Sequence, residues 1–397
     1  MMKNLFTVVL IFGVMVDSFC AQNQNNRRAN RAIQKQTLTQ SQTNVVPAST
    51  NQEVLIGPNP YESPSIEIPK TKIDDIVFRD LEKRHIKPAN LCSDAAFVRR
   101  AYLDITGTIP SAYEARQFLL DRNPQKRSQL IDRLLQSEDY VDYFTMKWSD
   151  ILRVKAEFPI NLWPNAAQAY YKWIHNCIRE NMPYDKFVRE MLVSNGSNFR
   201  VPQVNFYRAV QSKTPEGIAS AVALTFMGVR PEKLTAEQIK GMAGFFCKVG
   251  FKSTGEWKEE IVFYDPLNIV TQGTTTVSYK PVFPDGTVAK IPPDTDPRIV
   301  FANWLTNPKN PYFTKNIANR IWYWLMGRGI INEPDDIRPD NPPSNPELLA
   351  YLEKELISNK YDLKSLMRTI LNSRTYQLSS IPATTNKDAA KYFAYYP

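Results

Sequence analysis

Histidine is nearly missing from this chain, with only His85 and His175 among 397 residues. Cysteine is scarce too: Cys20, Cys92, Cys177 and Cys247 lie far apart. No Cys-x-x-Cys, His-Glu-x-x-His, Gly-x-Ser-x-Gly or glycine-rich phosphate loop occurs. These absences remove the local signatures of structural zinc, attached haem, zinc proteases, α/β-hydrolases and nucleotide enzymes. Glycine is low, 14 against 29 prolines, which argues against a β-rich fold full of tight turns. After the N-terminus no apolar run reaches the ~18 residues of a membrane-spanning helix. The net charge is +9, but Lys3, Arg27, Arg28, Arg31 and Lys35 stand against Asp17 alone in residues 1–52. The body of the chain therefore has a mild surplus and no basic stripe with interleaved aromatics, so no nucleic-acid partner is expected.

What is present is a hydrophobic fraction of 43% with 12% aromatics, enough to fill a core. At about 100–200 residues per domain the length suggests two or three domains. Lys3 followed by the apolar stretch Leu5 to Val16 and a small-residue exit at Ser18 to Ala21 reads as a signal peptide over 1–21. Cys20 would be the lipidated residue of a lipoprotein, but Asp17-Ser18-Phe19 is a poor approach to one. The chain is thus expected to be exported to the periplasm, the cell surface or beyond, with no transmembrane anchor after cleavage. The other three cysteines give no disulfide framework and read as small buried hydrophobes. Residues 22–68 are rich in Gln, Asn and Thr, then spaced by Pro, and read as a disordered tail and linker.

From about residue 70 the periodicity is helical. Ile73, Ile76, Val77 and Leu81 form one stripe. Ser93 is a cap candidate and Gly107 a stop, and Ser111 with Glu114 makes a capping box, as does Thr235 with Gln238. Residues 69–255 are read as one helical domain and 256–293, rich in Val, Thr and aromatics, as a small β-ribbon or extended connector. In this reading the helix from Thr235 runs on through KVGF. Helices resume over 294–397, with Ser344 or Asn345 capping Pro346 onward. The fold class is mainly α: two helical domains joined by a small β-ribbon or extended segment.

Candidate chemistry is thin. His85 sits in a charged helix end. His175 and Cys177, two apart, fall on different helix faces. Asp335 and Asp336 lie in a Pro-rich loop, and with Arg320 near Trp322 and Trp324 they are the candidates for acid–base work on a sugar. Their other reading is capping and pairing with Arg338 or Arg328. Arg100 is placed to pair with Asp104, four residues on, and Asp150 lies near Arg153. The cluster Trp322, Tyr323, Trp324 spans three faces of a deeply buried helix.

Several of these stretches carry a resemblance. FVRRAYLDITGTIPSAYEARQFLLD, LIDRLLQSEDYVDYFTMKWSDILR and YYKWIHNCIRENMPYDKFVREML resemble the first member of a pair of bacterial domains of unknown function, named for planctomycete surface proteins in which they occur beside cytochrome-c-like domains. Residues 296–380 resemble the second, and KPVFPDG the stretch leading into it. The resemblance marks Arg100, Asp104, Trp148, Asp150, Arg153, Asn319, Trp322 and Arg328 as motif positions with a structural role. In typical members the segment matching FMGVR runs into Cys-x-x-Cys-His-x-His-Pro, a haem-attachment or metal-binding pattern. Here Arg230 is followed by PEKLTAEQ. No haem, metal or other cofactor is therefore expected. Relatives also continue beyond YFAYYP, so the C-terminal domain is expected to be incomplete. The resemblance implies an accessory or surface protein acting by binding, with envelope or glycan-processing partners. The alternative is a polysaccharide-acting enzyme.

Overall fold

Helix caps account for where most elements begin. The computed structural model describes residues 59–63, 71–272 and 274–397, all within one unit, Pro58–Pro397. The expected signal peptide, and the expected tail apart from 59–63, lie outside the described residues. Within 59–63, Glu62 bridges to Cys92 and the Ser93 N–H donates to the Tyr61 carbonyl.

The described residues form a mainly α fold with a small sheet. The first helices are α1 Lys72–Lys83, α2 Asp94–Thr106, α3 Ala112–Leu120, α4 Lys126–Leu135, α5 Glu138–Ile151, α6 Pro164–Arg179 and α7 Tyr184–Val193. Short α8 Asn205–Arg208, then α9 Pro215–Val222 and α10 Ala236–Ala243, complete this half. After the strands come α11 Pro297–Leu305, α12 Phe313–Met326, α13 Pro346–Ser358 and α14 Leu363–Leu371. Ser93 and Asn345 cap as expected, and Gly107 ends α2 in the left-handed region. Both expected capping boxes form; each satisfies two backbone donors that a helix start leaves open.

The sheet has the order β1-β3-β2, all antiparallel, from β1 Gly196–Ser197, β2 Val249–Ser253 and β3 Glu260–Tyr264. The register sets Val249 opposite Tyr264 and Gly196 opposite Val262. A second hairpin pairs β4 Thr271–Gln272 with β5 Thr275–Thr276. The helix read through KVGF stops instead at Ala243, and residues 249–253 are a strand. Their backbone groups are satisfied by β3, a partner that helical periodicity does not register.

Elements far apart in sequence pack together: α1 on α13, α4 on α14, and α7 on α11. One apolar cluster runs from Ile73 to Ala394. Buried polar contacts join the same elements. Buried Asp74 accepts from the backbone N–H groups of Arg374 and Thr375 and from the Thr375 hydroxyl. Arg100 Nη1 donates to the carbonyls of Tyr376 at 2.6 Å and Leu378 at 2.8 Å.

Candidate functional site

The segment FMGVR lies where α9 loses its α-helical ladder. Ala223–Met227 forms a π-helical turn, and the N–H groups of both Gly228 and Val229 return to the Ala223 carbonyl. Such turns leave carbonyls without helical partners. The Thr225 carbonyl is taken by two side chains one turn apart on α12, Asn316 Nδ2 at 3.2 Å and Arg320 Nη1 at 3.0 Å. Gly228 has φ 65°, and its carbonyl accepts from the Ile337 N–H at 2.8 Å. A Cβ on Gly228 would stand 2.6 Å from Asn316 Oδ1. Next, Arg230 pairs with Asp335 at 3.3 Å. Pro231–Lys233 is a single 3-10 turn and Thr235 starts α10 through its capping box. Gln238 Nε2 then donates to the Pro284 carbonyl.

This joint gathers the three acid–base candidates. Arg320 is buried, and burial pulls its pKa below the usual value against the opposing influence of Tyr184 and Asp335. Asp336 is buried and both its oxygens accept from Arg338 Nε at 3.1 Å. Arg338 also reaches Asp340. Each carboxylate is thus held by its own arginine. Arg328 holds neither; its buried Nε has no hydrogen-bond partner. Asn319 fixes the loop behind them. Its Nδ2 donates to the Ile331 carbonyl at 2.9 Å, and its Oδ1 accepts the Ile331 N–H at 2.9 Å. Trp322 is fully buried, edge-on to Phe393 at 5.0 Å. Trp148, also buried, packs on Tyr184, Phe187 and Trp324.

Two expected ion pairs are corrected. Arg100 and Asp104 make no direct pair. Arg100 stacks over the Tyr396 ring at 3.6 Å while holding the backbone of 376–378. Asp104 accepts from the hydroxyls of Tyr376 at 2.7 Å and Tyr396 at 3.0 Å. Burial raises the Asp104 pKa to about 6, and the two hydroxyls and Arg100 oppose that rise. The i,i+4 spacing placed both side chains on one face, but partners 272 to 292 residues away in sequence outcompete the local pair. Asp150 is exposed, and its carbonyl, not its carboxylate, accepts from Arg153, through the backbone N–H. Thr225, Asn316, Tyr376 and Tyr396 escaped sequence reasoning altogether, because only the packed fold places them.

Cys92, Cys177 and Cys247 are free thiols. Burial raises the pKa of Cys247, and that of Cys177 to about 12, so neither is an activated nucleophile. His175 Nε2 lies 3.0 Å from Asp142. Among the described residues no three His, Cys, Asp or Glu side chains converge as a metal site.

Fold and joint together define a mainly helical protein whose joint is closed by arginine–carboxylate and carbonyl contacts. Residues 72–241 match the family model PSCyt2, a protein of unknown function (DUF1549), and residues 297–397 match PSD1, a protein of unknown function (DUF1553). The chain belongs to this planctomycete paired-domain family. No curated protein and no solved structure matches it.

Proposed function

We propose that the chain is an exported accessory protein that acts by binding and carries no haem. The observation that supports this best is the joint. Where the resemblance leads one to expect Cys-x-x-Cys-His, Arg230 passes into one 3-10 turn and a capped helix. A thioether-bound haem needs two thiols and an axial imidazole, and PEKLTAEQ supplies none of them. The carboxylates facing the joint are tied to Arg230 and Arg338, which suits a structural role better than acid–base work. Export rests on the apolar stretch Leu5 to Val16.

Three measurements test the proposal. Expressed in a host that matures c-type cytochromes, the protein will give no peroxidase-stained band on a denaturing gel. A haem band would overturn the reading of the joint. Residues 1–21 fused to a periplasm-dependent phosphatase will give activity; an inactive fusion removes export. The purified protein will sediment with a bacterial envelope preparation, and its recovery in the supernatant alone counts against binding.

A further inference from the structure

Where α5, α6 and α7 meet α12 and α14, they leave a cleft. Its floor is buried and apolar: Phe144 and Trp148 of α5, Phe187 of α7, Ile321 of α12 and Met367 of α14. Its mouth is half-buried, at Ile178, Asn181, Met182 and Leu363. A water-sized sphere has about 30 Å³ in which to move, and the empty space of the whole cleft, open mouth included, is about 470 Å³. The room is thus narrow and suits a slim body. No charged side chain lines it. Both family-matched regions contribute walls, so the cleft exists only where the two are packed together.

One group in this lining is out of keeping with the rest. Tyr184 is 1% exposed, and its hydroxyl has no hydrogen-bond partner. A buried hydroxyl left unpaired is destabilising, and native folds rarely keep one. The other tyrosines buried as deeply are all engaged: Tyr170 with the Met191 thioether, Tyr207 with the Leu192 carbonyl and Tyr376 with Asp104. The Tyr184 ring is stacked on Phe313 at 5.0 Å and lies against Trp148 at 5.5 Å, so its hydroxyl is not free to swing elsewhere. Burial raises the Tyr184 pKa and the Arg320 guanidinium opposes the rise. The phenol is therefore neutral and has a cation for a neighbour. Its lone pairs are best turned to that cation, which leaves the O–H as a donor to the cleft.

We infer that this cleft binds a slim, uncharged apolar molecule carrying a carbonyl oxygen, which accepts from the Tyr184 hydroxyl. Aromatic and thioether walls with one fixed polar group are the usual make-up of a small-molecule site, and such sites favour the boundary between packed regions. The ligand is uncharged because nothing in the lining would compensate a buried charge. A water needs about two to four polar partners, and beside this hydroxyl the buried lining is mostly carbon and sulfur. A ligand with an apolar body satisfies the hydroxyl and the walls together. The site goes beyond the binding proposal and does not rest on it.

The test is titration of the full chain with 2-heptanone, read by saturation-transfer difference NMR, with heptanoate as the charged control. The ketone will bind saturably, and heptanoate roughly tenfold more weakly or worse. Tyr184→Phe keeps the ring and drops the hydroxyl. It will weaken ketone binding roughly five- to tenfold, the loss of one hydrogen bond. Its thermal melt will stay at or above that of the wild type, because an unpaired buried group is removed. Met182→Trp, at the half-buried mouth, will abolish binding; should that variant melt early, Leu363→Trp takes its place. The inference is overturned if the wild type shows no saturable binding, if heptanoate binds equally, or if either the hydroxyl or the mouth substitution leaves affinity unchanged. A Tyr184→Phe protein that melts below the wild type also overturns it, since the hydroxyl would then already have a partner such as a resident water. Failure of the wild type to sediment with envelope removes the binding proposal and leaves this site standing.

Discussion

Asp104 is the residue whose chemistry departs furthest from its sequence context. Its carboxyl is buried under two tyrosine hydroxyls, and its pKa stands at about 6 in the fold. The unfolded value is near 3.9. A raised carboxyl pKa gives stability that is fully present below pH ~4 and lost as pH rises through ~6. Asp104→Asn keeps an oxygen acceptor and cannot ionise. Its stability relative to wild type should therefore improve from pH 4 to pH 7, by on the order of 2–3 kcal/mol. Urea denaturation of both proteins at the two pH values measures this; a difference that does not change with pH shows that Asp104 titrates normally. Tyr396→Phe removes one donor to the carboxylate and should cost about 1 kcal/mol at pH 7. Nothing near Asp104 in the sequence announced this pairing. Arg100 at i−4 did, and it was the wrong partner.

At the scale of elements, the cap chemistry was legible because it is local. Ser93, Ser111, Thr235 and Asn345 each bond a backbone N–H three residues on. The strand at 249–253 was not, since its partner lies beyond a turn of six residues and its apolar side chains fit either period. The π-helical turn at Ala223–Met227 was also invisible, because an extra residue in a helical turn leaves no mark on composition. Its geometry makes two contrasting predictions at the joint. Gly228→Ala forces a side chain into the left-handed region and against Asn316 and Ile337, so it should lose roughly 1–3 kcal/mol in urea melts. Arg230→Ala removes a pair in which both side chains are partly exposed. A double-mutant cycle with Asp335→Ala should return a coupling under about 1 kcal/mol. If the two results are reversed, the joint is held by charge and not by backbone fit.

On the scale of the whole molecule, the two family-matched regions share one apolar cluster and are also tied by buried polar contacts. Asp74 is fully buried, and three of its hydrogen-bond donors come from residues 374–375. Arg100 is buried and spends its donors on residues 376 and 378. The backbone adds Ala89 to Ala394, Cys92 to Gln377 and Ser379 to Asn90. A fragment without residues 374–378 loses these hydrogen bonds together with part of the apolar cover over α1 and α2, a combined cost on the order of several kcal/mol. Typical domains have only 5–15 kcal/mol to lose. The full chain should therefore unfold in one transition, with tryptophan fluorescence and far-ultraviolet circular dichroism superimposing across urea. A fragment of residues 71–255 should show no cooperative melt, and adding a separately made 294–397 fragment should restore one. A fragment that melts cooperatively alone would mean that the buried ions are compensated from within 71–255, and that the first region is a self-sufficient domain to which the second is merely docked.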